Sequence, residues 1–424
     1  MWLFIQPNDT LFFRDGRPFD AGADVWTGML FPPYPSTCYG MLRTLFVHLL
    51  SKRVDYDAFF SKLPEKFKGL LGDENNPGSL SIHGPFFGEK INDEIHLSVL
   101  SPADLWKLED KNTDKGNKYY LLQPDRKFSI ADCSDLEIPF YPLGFFCGID
   151  SSKFKPREGV IGWNDLNYYL AGKPEHGELK ALPPEEDIFW LEESSTIIKR
   201  DNITLTAKEH HLAHPPYIRM QADTGRFREK GLLIHIDNLN NQEDFDTDAI
   251  TSLFQYLHTA RLGGECRVCL IERLPVVNLP VQEITEIISN TGKFRVILTS
   301  PAYFPNKGYY PDFLESAEGA LPAGEWEIGD QKRKVRLISM ATGKRLSRIG
   351  GWDLAKGVPK KMIKAVPAGT VMFFELINFD KESDRNWIKG LVESSFPGTL
   401  PGGDSSYCKE GFNTMLIGGW DYVP

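Results

Sequence analysis

Three histidines crowd one short stretch, His210, His211 and His214 (HHLAH), a grouping that could bind a metal or move protons on RNA. A zinc site needs about four ligands, and neither an HExxH pattern nor a carboxylate at a suitable offset accompanies them. The acid–base reading stays open as the enzymatic alternative. Cys266 and Cys269 (CRVC) form a lone CxxC. On a strand, residues three apart point to opposite faces, which defeats chelation. No Walker loop, GxGxxG or GxSxG sequence is present. These residues imply no metal, no cofactor and no assembled hydrolase site.

Phosphate recognition is better represented. From Gln331 to Lys364 there are eleven Lys or Arg and one acid, Asp353, a local charge of about +10. The whole chain carries 48 basic and 58 acidic residues, a net of −10, so the remainder holds about −20. Screening beyond about 8–10 Å lets such a stretch attract a polyanion despite distant carboxylates. Lys344, Arg345, Arg348, Lys356, Lys360 and Lys361 surround Trp352. Cations interleaved with an aromatic suit a single strand, which is gripped by backbone charge and base stacking together. Tyr217–Lys230 reads as a hairpin whose Asp223-Thr224-Gly225 turn presents Arg219, Arg226 and Arg228, forks suited to phosphates. Asp15-Gly16-Arg17-Pro18 is a similar turn beside Arg14 and Arg17. Ser36 and Thr37, followed by Tyr39 and Arg43, open a helix whose first N–H groups could receive a phosphate.

The elements that position these groups follow from composition and periodicity. The chain has 424 residues, 41% hydrophobic and 25% charged, enough for two or three globular domains. No run of about 18 apolar residues could cross a membrane, and Met1–Gln6 does not read as a signal peptide. Six cysteines read as reduced thiols, which points to the cytoplasm. Trp2–Gln6 predicts a strand, and Leu42, Leu45, Phe46, Leu49 and Leu50 predict a helix over Ser36–Ser51. Strands are expected at Glu94–Leu100, Gly231–Asp237 and Arg267–Arg273. A second helix is expected through Ile250, Leu253, Phe254 and Leu257, ending at Gly263-Gly264. The fold class is α+β, and this order is that of a ferredoxin-like βαββαβ unit over residues 1–285. An insertion at about Ser101–Arg200 interrupts it. That insertion is expected to form an irregular exposed lobe, its acidic cluster near Glu185–Glu193 suited to docking a partner. Residues 286–424 predict a second, smaller α+β unit, with strands beginning at Gly292 and at Val335–Met340 and Thr370–Leu376. The pentapeptide Ile-Gly-Gly-Trp-Asp occurs at Ile349 and again at Ile417. Its glycines, Gly418 and Gly419 included, suit either close backbone approach to a phosphate or a tight turn beside a packed Trp.

The motifs LFFRDGRPFDAG (Leu11–Gly22), FPPYPSTCYGMLR (Phe31–Arg43), LGGE (Leu262–Glu265), GGWD followed by PKKM (Gly350–Met362), PAGTVMFFEL (Pro367–Leu376) and GFNTMLIGGW (Gly411–Trp420) run in order along the chain. Together they resemble the third subunit of the Cmr complex, a RAMP-superfamily protein of type III-B CRISPR effectors in the Cas-five group. The resemblance implies two ferredoxin-like (RRM-like) domains with a glycine-rich C-terminal loop, and adds Gly263, Gly264 and Gly411 to the RNA-facing candidates. It implies a grip on the 5′ handle of the crRNA and a tight contact with the large palm-domain subunit. It also implies a place beside the first backbone subunit, with target RNA met only through the guide. A thumb hairpin in related proteins wedges against the guide, and the hairpin carrying Arg226 and Arg228 matches it best. The family is non-catalytic. The rival reading is a RAMP-type crRNA-processing endoribonuclease using one of the three histidines; a third is a protein scaffold whose basic segment meets an acidic partner. No aromatic RNP pattern is evident, so stacking on the sheet face is not expected.

Overall fold

The computed structural model describes residues 1–14, 28–51, 65–72, 78–91, 93–108, 118–125, 140–144, 154–172, 178–179, 189–220, 229–237, 254–276, 280–317, 320–343, 346–353 and 357–420. It is a mixed α/β structure, rich in strands and poor in helices, built on two antiparallel sheets.

The first sheet is assembled by β1 (Trp2–Pro7), β2 (Ser81–Ile91), β3 (Glu94–Leu100), β4 (Glu229–Asp237), β5 (His258–Arg261) and β6 (Val268–Glu272), with the short strand Val160–Ile161 at its end. Their spatial order is β5-β6-β1-β4-β2-β3 followed by Val160–Ile161. Helix α1 (Pro35–Ser51) begins where the proline run stops, and lays Cys38, Leu42, Leu45 and Phe46 against Leu3, Ile5, Ile82, Leu232 and Ile234. Phe4, Phe86 and Leu233 turn to the opposite face and enter a second core. Burial on both faces explains why β1 and the middle of β4 read as continuous apolar runs rather than alternating ones.

The second sheet comprises β7 (Lys293–Leu298), β8 (Ala323–Ile328), β9 (Gln331–Ala341), β10 (Val371–Leu376) and β11 (Thr414–Gly419), in the order β8-β9-β10-β7-β11, with Gly398–Thr399 beyond β11. Two more helices serve it. One is α3 (Val281–Thr291), stopped by Gly292 at φ +66°; the other is α4 (Lys381–Glu393), capped by Asp380, which accepts from Ser383 N at 2.9 Å. Phe294, Phe374, Trp326 and Trp387 interlock beneath α4, with the Phe294 and Phe374 rings stacked at 5.3 Å. Aromatic pairs of this kind add about 0.5–1.5 kcal/mol beyond their buried area.

The two sheets share an interior. His83 Nε2 lies 3.0 Å from Thr399 Oγ1, and Gly84 N donates to Thr414 Oγ1 at 3.3 Å. Within the described part of the insertion Trp190–Arg200 is largely exposed, whereas the earlier segments depart from the expected exposed lobe. Leu105, Tyr119, Leu121 and Ile161, with Leu166, Tyr169 and Leu170 of helix α2 (Trp163–Leu170), are all buried in the core between the sheets. There, Arg295 Nη1 meets Asp104 Oδ2 at 3.2 Å, both side chains fully buried, and Tyr169 Oη donates to Asp104 Oδ1 at 2.7 Å. The Arg295 guanidinium also donates to the Tyr169 carbonyl and sits 3.8 Å from that ring's centroid. Burial pushes the Asp104 carboxyl up, and the facing Arg295 and the Tyr169 hydroxyl pull it back.

One further expectation changes. Of the second predicted helix, residues 250–253 lie outside the described residues; Phe254–Tyr256 form a turn and His258–Arg261 a strand. Phe254 is buried against Phe46 while Leu257 is exposed, so the apparent helical pair never shares a face.

Candidate nucleic-acid interface

Inside the basic stretch, Ser347–Ile349 pairs with Ile363–Ala365, and Trp352-Asp353 pairs with Val358-Pro359. Together these pairs make one hairpin. Its register alternates cleanly. Ile349 and Ile363 face each other and pack with Phe412, Tyr34, Tyr303 and Tyr407. One step away, Arg348 faces Lys364, both exposed. Like charges directly opposite on a ribbon are destabilising. Among the described residues no acid lies within ion-pair distance of Arg348, Lys361 or Lys364. Trp352, Val358 and Met362 are exposed beside them.

The hairpin stands on the start of α1. Tyr34 Oη donates to the Arg348 carbonyl at 2.9 Å, and the Tyr34 and Phe412 rings lie 6.5 Å apart. Gly411, buried at φ +99°, backs onto Pro35, where a β-carbon would come within 3.1 Å of the proline Cβ. Ser36 and Thr37, next to Pro35, are thereby brought to the hairpin's foot. Tyr39 is also there but buried, its hydroxyl donating to Leu80 O at 3.3 Å, and burial pushes its phenol pKa up. It is therefore a packing residue rather than a stacking platform. Lys360 Nζ is 3.3 Å from Glu410 Oε1.

That last ion pair is part of a wider correction to the local charge count. Acids from outside the stretch reach into it: Glu327 from the adjoining strand to Lys332 at 2.9 Å, and from farther along the chain Asp384 to Arg333 and Glu375 to Arg336 at 3.1 Å. In the first half of the stretch Lys332, Arg333 and Arg336 are thus paired, while Lys334 is exposed with no ion pair among the described residues. In the hairpin Arg348, Lys361 and Lys364 stand likewise, and Lys364 is not among the expected RNA-facing residues. The strand alternation of Ser347–Ile349 and Ile363–Ala365 was the signal that could have found it.

Other candidates lie elsewhere. Gly263, at φ +75°, would put a β-carbon 2.6 Å from the Phe12 carbonyl, and Gly264 N donates to that carbonyl at 2.8 Å. These glycines accommodate the Phe12-Phe13 backbone, not a phosphate. Arg219 is held by Glu193 and by Asp9 at 3.3 Å, and the Glu193 carboxylate raises its pKa. Arg14 is exposed and bridges Met29. Gly418 and Gly419 are buried in β11: β-carbons there would meet Leu170 O at 3.0 Å and Ile287 Cγ2 at 2.6 Å, so their missing side chains serve packing. Arg17, Arg226, Arg228, Lys344, Arg345 and Lys356 lie outside the described residues.

The expected hairpin at Tyr217–Lys230 is not one. Pro216–Met220 pairs with Trp190–Ser194, whereas β4 pairs with β1 and β2. His210 and His211 sit on the strand Ala207–Ala213, and His214 Nδ1 is 2.9 Å from Thr196 Oγ1. Cys266 is exposed in a 3-10 turn and Cys269 is buried, with burial pushing its thiol up to about 12. No described helix is long and apolar enough to cross a membrane.

Comparison with known proteins gives a family. A model of the CRISPR-associated protein family Cas_Cmr3 matches residues 3–420. No curated relative matches. Among solved structures, a chain of the Type III-B Cmr-beta bound to cognate target RNA aligns at 18% identity, covering 98% of this chain and 96% of that one, with a TM-score of 0.45. A second structure of Cmr-beta, with target RNA and AMPPnP, aligns at 19% identity over the same shares, TM-score 0.44. A chain of the Csm3-Csm4 subcomplex of the type III-A interference complex aligns at 12% identity over 88% and 92%, TM-score 0.32. With its model running through both sheets and the hairpin alike, the chain belongs to the Cas_Cmr3 family of CRISPR-associated proteins and is a Cmr complex subunit.

Proposed function

We propose that this chain is the non-catalytic subunit of a type III-B effector that holds the 5′ handle of the crRNA, and that the hairpin Ser347–Ala365 is its principal grip. One observation carries the reading. Arg348 and Lys364 stand opposite each other, exposed and without an acid among the described residues, next to an exposed Trp352. A fold keeps such repulsion where an anion relieves it. The backbone of the handle supplies the anion, and a splayed base supplies the partner for the indole. Ser36 and Thr37 extend the grip at the hairpin's foot, with Arg43 farther along the same helix.

In this reading each sheet is the core of a ferredoxin-like RAMP unit. The order β6-β1-β4-β2 in the first, and β11-β7-β10-β9 in the second, is the 4-1-3-2 arrangement of a split βαβ pair. In the second unit α3 precedes the first strand, and α4 joins the third to the fourth. The large palm-domain subunit and the first backbone subunit are the protein partners, target RNA is reached through the guide, and the assembly works in the cytoplasm.

Handle-RNA binding by the full chain, measured across a range of salt, tests the grip. Arg348→Glu with Lys364→Glu should flatten the log–log salt dependence by about 0.7 for each phosphate no longer engaged; an unchanged slope sinks the assignment. Incubation with repeat RNA tests the absence of catalysis. Cleavage that disappears on His210→Ala, His211→Ala or His214→Ala would establish the endoribonuclease instead.

A further inference from the structure

A cleft of about 570 Å³ opens beside the β5-β6-β1 edge of the first sheet. Its walls come from Trp2 of β1, Phe254 and Gln255 ahead of β5, and Arg273 to Pro275 after β6. Those walls are fixed by the fold. Pro275 O accepts from Ile95 N at 3.1 Å, and Val276 bridges Ile95, which ties the segment after β6 to β3. Phe254 packs on Phe46 with ring centroids 5.5 Å apart. The Trp2 indole, partly exposed, leans on His235 at 4.8 Å and on Phe86 at 5.8 Å. Preformed hollows with apolar walls and a few polar groups are where small molecules bind.

The polar groups here are unengaged. Gln255 and Arg273 are exposed, and among the described residues neither takes part in a hydrogen bond or an ion pair through its side chain. Glu272, the acid next to Arg273, pairs instead with Lys90 at 2.9 Å. Burial lowers the pKa of the Met1 amine, Asp237 raises it and Arg273 lowers it again, so all of these charges feel one another. Amine and carboxylate offset each other, and Arg273 sets the sign of the cleft.

We propose that this cleft binds a free purine nucleoside 5′-monophosphate, with the base against Trp2, its edge at Gln255 and the phosphate at Arg273. Each group suits one part of that ligand. An indole offers a flat face to a purine. A glutamine amide carries both the donor and the acceptor that match adenine N7 and N6. A guanidinium fork fits phosphate oxygens. Inorganic phosphate would leave the apolar wall uncovered, and a bare nucleoside would leave Arg273 unanswered. None of these residues belongs to the basic hairpin or to the start of α1, so the inference stands apart from the RNA grip.

Equilibrium dialysis of the full chain against AMP, adenosine and ribose 5-phosphate tests it. AMP should bind saturably, one per chain, and at least tenfold more tightly than either fragment. Arg273→Glu should weaken AMP at least tenfold at an unchanged thermal midpoint, and Arg273→Lys, which keeps the charge, should retain most of the affinity. Gln255→Leu should weaken AMP without altering the weak binding of ribose 5-phosphate. Arg348→Glu with Lys364→Glu should leave AMP affinity within twofold. The proposal is overturned by the absence of saturable AMP binding, by a fragment that matches AMP, by Arg273→Glu binding AMP as well as the native chain, or by AMP binding lost in the hairpin variant.

Discussion

The pentapeptide Ile-Gly-Gly-Trp-Asp occurs at Ile349–Asp353, where the tryptophan is 57% exposed, and at Ile417–Asp421, where Trp420 is 2% exposed. In the second copy the strand has β7 on one side and Gly398–Thr399 on the other, and α2 and α3 press on its glycines. Trp420 Nε1 donates to Phe294 O at 3.1 Å and Phe374 O at 3.4 Å. In the first copy, among the described residues, the ribbon pairs with its own return strand alone, and nothing comes closer than 3.6 Å to a β-carbon placed on Gly350. Identical residues are mortar in one place and exposed surface in the other. What differs is the number of neighbouring elements, a property of topology.

Substituting each tryptophan separates the two roles most sharply. Trp420→Ala should cost about 3–5 kcal/mol of stability in denaturant unfolding. Trp352→Ala should leave stability within about 0.5 kcal/mol but weaken handle-RNA binding by about 1–3 kcal/mol. Equal losses of stability would erase the distinction. The glycines should divide similarly: Gly419→Ala overpacks against Ile287 and should cost about 1–3 kcal/mol. Gly350→Ala should cost little, as read by thermal midpoints. The smallest effect is within the hairpin itself. Lys361→Gln should flatten the salt dependence of RNA binding measurably. Lys360→Gln should do less, because Glu410 already neutralises that side chain. A larger effect at Lys360 would place the RNA on the other edge of the ribbon.

Much of the scaffold was legible. The proline run before Ser36 marked the start of α1, and continuous apolar runs such as TVMFFEL marked strands covered on both faces. Local charge was misleading, because Glu375, Asp384 and Glu410 pair with Arg336, Arg333 and Lys360 from far along the chain. The arm at Trp190–Met220 escaped notice since Glu192 and Glu193 read as part of an acidic patch, while their strand partners lie some 25 residues on. Phe254 and Leu257 imitated a helix by spacing alone. The insertion was hardest to read. Leu105, Tyr119 and Tyr169 lie in short apolar runs separated by polar and charged segments, and only folding gathers them into the core.

The Asp104–Arg295–Tyr169 triad gives that insertion a consequence for anyone wishing to trim the molecule. Excising residues 101–200 removes the carboxylate and the phenol together, and strips a buried guanidinium of the ion pair that balances it. Losing one member of a buried pair typically costs about 3–5 kcal/mol, so a minimal version that keeps Arg295 should come out of cells aggregated. Recovering it means redesigning position 295 as an apolar residue at the same stroke: what looks like a decorative graft on the primary structure is the keystone between two arches.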